Sequence, residues 1–187
     1  MASSVFPPDD IQLIVSKIAT ILRARNETLS ISEAACGGLI SAYIVSIPGA
    51  SNFYIGGKLV YSLKQRLKLS GWTDEEIRNY MGPSKQVALK LARTTKYELG
   101  STYVLSETGF AGPSQDLHLI DEDESNGGKS DEKNEQVGTV YIGFSGPNTE
   151  VSQSSQTGSH DRSENMTKFA KIGLQFLLEQ LEKINDS

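Results

Sequence analysis

Ile31-Ser32-Glu33-Ala34-Ala35-Cys36-Gly37-Gly38 decides how this chain reads: a short apolar strand runs into a glycine pair, and an amphipathic helix comes next, from Leu39 to Ile47. Two glycines at a strand-to-helix turn let the backbone approach a ligand closely, and the first helical turn offers N–H groups to an anion or a developing oxyanion. The same pair serves equally as a tight turn that only packs helix on sheet. Ala34 and Ala35 fill the centre of the turn, so no side chain there can react.

On the amino-terminal side, Asp9 and Gln12 stand at the spacing of a capping pair, and Ile11, Ile14, Val15, Ile18, Ile21 and Leu22 recur at helical intervals. Thr28 to Ser32 reads as the first strand. Beyond the turn, Pro48 stops the second helix. Tyr54 to Ser62, with Gly56-Gly57 inside it, reads as a buried strand approached by another backbone and lying beside the first. Short helices are expected over Leu63 to Leu69 and Thr73 to Tyr80, the second opened by a Thr73–Glu76 capping box. Gly82-Pro83-Ser84 opens a longer helix with the stripe Ala88, Leu91, Ala92, Thr95 and Leu99.

Ser101 to Glu107 is then a strand, and Thr108-Gly109-Phe110-Ala111-Gly112-Pro113 makes a second glycine turn directly after its end. In open α/β sheets ligands bind beyond the carboxyl ends of strands, so both turns fall where a site is expected. Val137 to Phe144 is a strong strand, Glu150 to Thr157 is polar enough for an edge, and the last helix presents Met166, Phe169, Gly173, Phe176, Leu177, Leu181 and Ile184 on one face. This order predicts a layered α/β/α domain with one mixed sheet. A chain of 187 residues, 37% hydrophobic, is large enough for one core without staples, so residues 1–187 read as a single domain.

Residues 114–136 interrupt this pattern and read as an acidic insertion expected to be mobile. Between Asp121 and Glu135 seven acids stand against two lysines, which is the whole of the formal charge of −5. The remainder is neutral, so nucleic-acid binding has no electrostatic support. One cysteine and two distant histidines give no metal-ligand spacing, and no cofactor is called for. No apolar run reaches membrane-span length and Met1 to Asp10 is unlike a signal peptide, which suggests a cytoplasmic protein, or one also nuclear.

Several ordered motifs resemble those of the carboxyl-terminal domain of the CinA (competence- and damage-inducible) family. Glu33 and Gly37-Gly38 match its E-S-C-T-G-G turn; Ile47-Pro48-Gly49-Ala50-Ser51 matches V-P-G-A/S-S; Gly56-Gly57 and Tyr61-Ser62 match G-G and Y-S-N-E-A-K. Thr108 to Pro113 matches T-G-I-A-G-P, Val137-Gly138-Thr139-Val140 matches V-G-T-V, and Asp161-Arg162 falls on the G-D-R before the last helix. Stand-alone members include nicotinamide-nucleotide amidohydrolases, which convert nicotinamide mononucleotide and water into nicotinate mononucleotide and ammonia. The resemblance implies a small-molecule nucleotide partner of that kind and leaves a homo-oligomer open. It implies substrate contacts from Glu33, Gly37, Gly38, Thr108, Gly109, Gly112 and Arg162, and an active-site role for Tyr61.

Two departures strike the chemistry. The family's nucleophilic serine falls on Ala34, and the lysine of Y-S-N-E-A-K falls on Arg66, whose guanidinium cannot accept a proton at neutral pH. Three readings result: an inactive amidohydrolase-like domain that keeps its nucleotide pocket, an active deamidase in which Cys36, Ser32 or Ser62 replaces the serine, or an interaction scaffold with a vestigial pocket. Each site residue also has a plainer role. Cys36 can be a small buried hydrophobe, Tyr61 a rim tyrosine, and Arg162 a helix-end cation.

Overall fold

The computed structural model describes residues 5–113 and 136–184. Helix α1 spans Asp9–Arg25. Strand β1 is Leu29–Glu33 and helix α2 is Leu39–Val45, with a 3-10 turn after it at Ala50–Asn52. Then come β2 (Tyr54–Leu59), α3 (Leu63–Leu69), α4 (Asp74–Arg78), α5 (Lys85–Leu99), β3 (Tyr103–Gly109), β4 (Thr139–Ser145), β5 (Glu150–Gln156) and α6 (Arg162–Lys183).

The strands form one mixed sheet in the order β2-β1-β3-β4-β5, parallel across β2, β1 and β3 and antiparallel from β3 to β5. Helices α1, α2 and α6 pack on one another over one face, and α5 crosses the other against β1, β3, β4 and β5. This is the expected α/β/α arrangement. The stripe of α1 is fully buried at Val15, Ile18 and Leu22, and that of α6 at Phe169, Leu174, Leu177 and Leu181. Each such side chain contributes about 1.5–3 kcal/mol by leaving water. On the α5 face a smaller cluster of Val60, Trp72, Tyr80 and Leu91 lies beneath α3 and α4.

Three local expectations change. No side chain caps α1: Pro8 holds the N-cap position, and Asp9 and Asp10 fall in the first turn, where Asp10 Oδ1 accepts from the Ile11 N–H at 3.0 Å. The Pro8 backbone is extended, so the acids act on the helix dipole rather than as a capping pair. Strand β2 is an edge strand, alternately half-buried and exposed, because only β1 pairs with it. It ends at Leu59, and Ser62 instead caps α3. Close backbone approach does hold at Gly57, where a Cβ would stand 2.9 Å from the Ile31 carbonyl oxygen.

The Thr73–Glu76 capping box and the outer position of β5 are as the sequence implies. The expected mobile insertion lies, apart from Gln136, outside the described residues. Among the described residues no helix is long and apolar enough to cross a membrane, and no group of three or more His, Cys, Asp or Glu is placed to hold a metal ion.

Candidate functional site

The carboxyl ends of β2, β1 and β3 open toward the amino termini of α2, α3 and α6. Strand β1 is buried along its whole length between two parallel neighbours, so the turn at its carboxyl end is held from both sides. Gly37 and Gly38 have φ of +64° and +100°, two successive left-handed residues that turn the chain into α2. In front of Gly38 the space is open, since a Cβ there would meet nothing within 4 Å.

The helix amides expected to face a ligand are already occupied. Glu33 turns its carboxylate back onto the start of α2: Oε2 accepts from the Gly38 and Ile40 N–H groups at 3.0 Å each. Its Oε1 accepts from the Ser41 N–H at 2.8 Å and the Ser41 hydroxyl at 2.6 Å. Tyr54 donates in turn to Ser41 Oγ at 2.8 Å. Glu33 therefore acts here as a built-in anion at the helix end, and Gly37-Gly38 shape the turn for that contact.

A second acid, not singled out in the sequence, completes the turn. Ser32 lies opposite Ser106 in the β1–β3 register, so Glu33 and Glu107, one residue further along each strand, stand side by side on one face of the sheet. Glu107 Oε2 accepts from the Ala34 N–H at 3.2 Å and the Cys36 N–H at 2.9 Å, while its buried Oε1 has no partner. Burial pushes the Glu107 carboxyl up from the ordinary value of 4.5 to about 7; the Cys36 amide opposes the shift and the Glu33 charge adds to it. The signal that could have exposed Glu107 is an acid at the end of the otherwise apolar run Tyr103-Val104-Leu105, directly before a glycine turn.

Burial and these two acids together set the state of Cys36. Its thiol is buried and donates weakly to the Met166 carbonyl oxygen at 3.7 Å. Burial first, then Glu107 and Glu33, push it well above the ordinary thiol range. The expected help from a helix end is opposed, and the surroundings of Cys36 disfavour its thiolate. Ser32 offers no substitute: it is buried on the sheet face opposite Glu33, next to Ser106. The Ser62 hydroxyl accepts from the Gln65 N–H.

Position 66 is more than a lost base. Arg66, 4% exposed, donates from Nε to the Val60 carbonyl oxygen at 3.3 Å, from one terminal nitrogen to the Tyr80 hydroxyl at 2.7 Å and from the other to Thr108 Oγ1 at 3.2 Å. Its guanidinium carbon lies 5.7 Å from the Trp72 ring and 5.2 Å from the Tyr80 ring. Thr108 is thus joined to α3. Tyr61, 57% exposed, stands at the rim, where its hydroxyl accepts from Arg162. Arg162 also donates to the Gly112 carbonyl oxygen at 2.6 Å, closing the second turn onto α6.

The glycines of that second turn answer to packing. At Gly109 a Cβ would stand 2.6 Å from the Thr139 carbonyl oxygen, and at Gly112, with φ of +90°, 2.6 Å from Val137 Cγ1. The Phe110 N–H is spent on Thr139.

The family model of the CinA C-terminal domain matches residues 11–118 and 125–181. A CinA-like protein of Nostoc punctiforme is 34% identical over 138 residues, covering 74% of this chain and 30% of the relative. One of Myxococcus xanthus is 32% identical over 155 residues, covering 82% and 33%. The chain spans about a third of the length of these curated relatives. The crystal structure of the competence/damage inducible protein CihA from Agrobacterium tumefaciens matches with a TM-score of 0.78 at 25% identity, covering 94% of this chain and 97% of that one. A CinA superfamily protein from Escherichia coli gives 0.77 at 18% identity over 94% of each, a likeness of fold alone. Matched by the family model over both halves of the sheet and by relatives above 30% identity, the chain belongs to the CinA C-terminal domain family.

Proposed function

We propose that this chain is a nicotinamide-nucleotide amidohydrolase-like domain that binds a phosphate-bearing pyridine nucleotide without hydrolysing it. The observation that carries this reading is position 34. Ala34, buried, supplies a methyl group where the resembled enzymes have serine, and the amides of Ala34 and Cys36 are held by Glu107. Attack on an amide needs a nucleophile and a base, and neither the neutral Cys36 nor the fixed guanidinium of Arg66 supplies one. Two adjacent buried acids are costly to keep for folding alone, and such groups gather at functional sites. The open space in front of Gly38 favours retained binding over a vestigial scaffold.

The test is ammonia release from nicotinamide mononucleotide, with binding measured in parallel by calorimetry. The wild type is expected to bind the nucleotide and release no ammonia above the buffer rate, and Ala34→Ser with Arg66→Lys is expected to gain turnover. Wild-type turnover abolished by Cys36→Ala would install the cysteine route. Turnover abolished instead by Glu107→Gln would assign the chemistry to a water activated by that carboxylate. Absence of binding to nicotinamide and nicotinate mononucleotides alike would favour the scaffold reading.

A further inference from the structure

Beside the carboxyl end of β3, under α3 and α4, lies a buried cluster with more hydrogen-bond donors than acceptors. Arg66 uses three of its five N–H groups on Val60, Tyr80 and Thr108, and among the described residues it makes no ion pair. The indole Nε1 of Trp72 and the hydroxyl of Ser70 are buried without any hydrogen-bond partner. Ser70 is tied to the same turn, its N–H donating to the Arg66 carbonyl oxygen at 3.0 Å. Glu76 of α4 is already paired with Lys90, whose ammonium stands 5.2 Å from the Trp72 ring.

Buried cations are ordinarily paired and buried donors satisfied, and here a guanidinium without an acid partner adjoins an indole and a hydroxyl without any partner. The indole and the hydroxyl lack an acceptor outright, and the guanidinium, held only by three neutral oxygens, carries a full charge without an acid. We propose that Arg66, Ser70 and Trp72 form a subsite for an oxyanion, a carboxylate or phosphate group of the ligand bound at this edge of the sheet. A guanidinium fork flanked by aromatic faces matches a planar carboxylate and also accepts a phosphate. A neutral carboxamide fits poorly, because its NH2 group adds donors where donors already exceed acceptors. The inference rests on the nucleotide-binding reading only for what the rest of the ligand is, and it makes the domain a receptor for the acid rather than the amide.

Trp72 is the chain's one tryptophan, so its fluorescence reports on the cluster directly. The experiment titrates the full chain with inorganic phosphate, nicotinate and nicotinamide at equal ionic strength, reading Trp72 emission and calorimetric heat. The expected result is saturable binding of nicotinate or phosphate, with nicotinamide at least about tenfold weaker than nicotinate. Whichever of nicotinate and phosphate binds tighter identifies the source of the oxyanion. Ser70→Ala is expected to weaken that anion by about three- to tenfold, and Arg66→Gln to abolish its binding. Should Arg66→Gln fail to fold by circular dichroism, Ser70→Ala and Trp72→Phe, the latter read by calorimetry, carry the decision.

Nicotinamide binding as tightly as nicotinate with phosphate silent, no anion response at all, or affinities untouched by Ser70→Ala would overturn the subsite. Nicotinamide and nicotinate mononucleotides form a separate arm. If they bind while Trp72 stays silent and these variants are unaffected, the subsite falls and the nucleotide-binding reading stands; if simple anions bind and neither mononucleotide does, the reverse holds.

Discussion

Two neighbouring regions at the carboxyl edge of the sheet are built oppositely. Around the first glycine turn, acceptors come from the protein itself: Glu33 and Glu107 together take five backbone N–H groups and one hydroxyl. Around α3 and α4, donors are left over: Arg66 lacks an acid partner and Trp72 and Ser70 lack acceptors. The first region satisfies its backbone donors without a ligand and leaves over only an acceptor, Glu107 Oε1, so it holds the backbone in shape. The second is incomplete without one. What a family motif offers as an anion site can thus be self-filled, while the free binding capacity lies in residues that the motif comparison records only as a lost base.

Removing an acceptor from the complete region should cost most. Glu33→Ala leaves the Gly38, Ile40 and Ser41 amides and the Ser41 hydroxyl without their acceptor, and we expect unfolding free energy to fall by about 4 kcal/mol in urea titration. A loss below about 1 kcal/mol would mean that water completes the turn as well as the carboxylate does.

Glu107 gives the next effect, and its sign is set by the raised carboxyl. The folded protein holds this proton up to about pH 7, whereas the unfolded chain releases it near 4.5, so the stabilisation is complete at low pH and disappears as pH rises through 7. The difference amounts to about 3 kcal/mol. Glu107→Gln should flatten this part of the stability–pH curve and exceed the wild type in stability at pH 8. An unchanged slope in the variant would assign the dependence elsewhere.

The smallest effect belongs to the incomplete region. In the absence of ligand, Ser70→Ala removes a buried hydroxyl that has no partner, and stability should stay the same or rise by up to about 1 kcal/mol. A clear loss would mean that the hydroxyl is satisfied and that the contrast between the two regions is false.

Most of the architecture was legible because it rests on local signals. The period of Val15, Ile18 and Leu22 marks α1, the Thr73–Glu76 box marks α4, and the polar run Glu150 to Gln156 marks an edge strand. The burial of β2 was misjudged, since position in a sheet is decided by neighbours and not by a strand's own composition. At the site, the turn was visible and its occupant was not. Glu107 reaches Ala34 and Cys36 across a strand pair more than 70 residues apart in sequence, a relation that only the β1–β3 register creates. Arg66 looked like a loss because comparison with a motif reports what is missing; its burial among Tyr80, Trp72 and Thr108 depends on how α3 folds back over β3.

The central claim is that this domain binds and does not hydrolyse, and calorimetric titration of the wild type with nicotinate mononucleotide and nicotinamide mononucleotide, with recovery of the ligand afterwards, tests it most directly. Saturable binding of both is expected, the acid at least about tenfold tighter, with the amide recovered intact. Amide bound as tightly as acid and recovered as acid plus ammonia would contradict it.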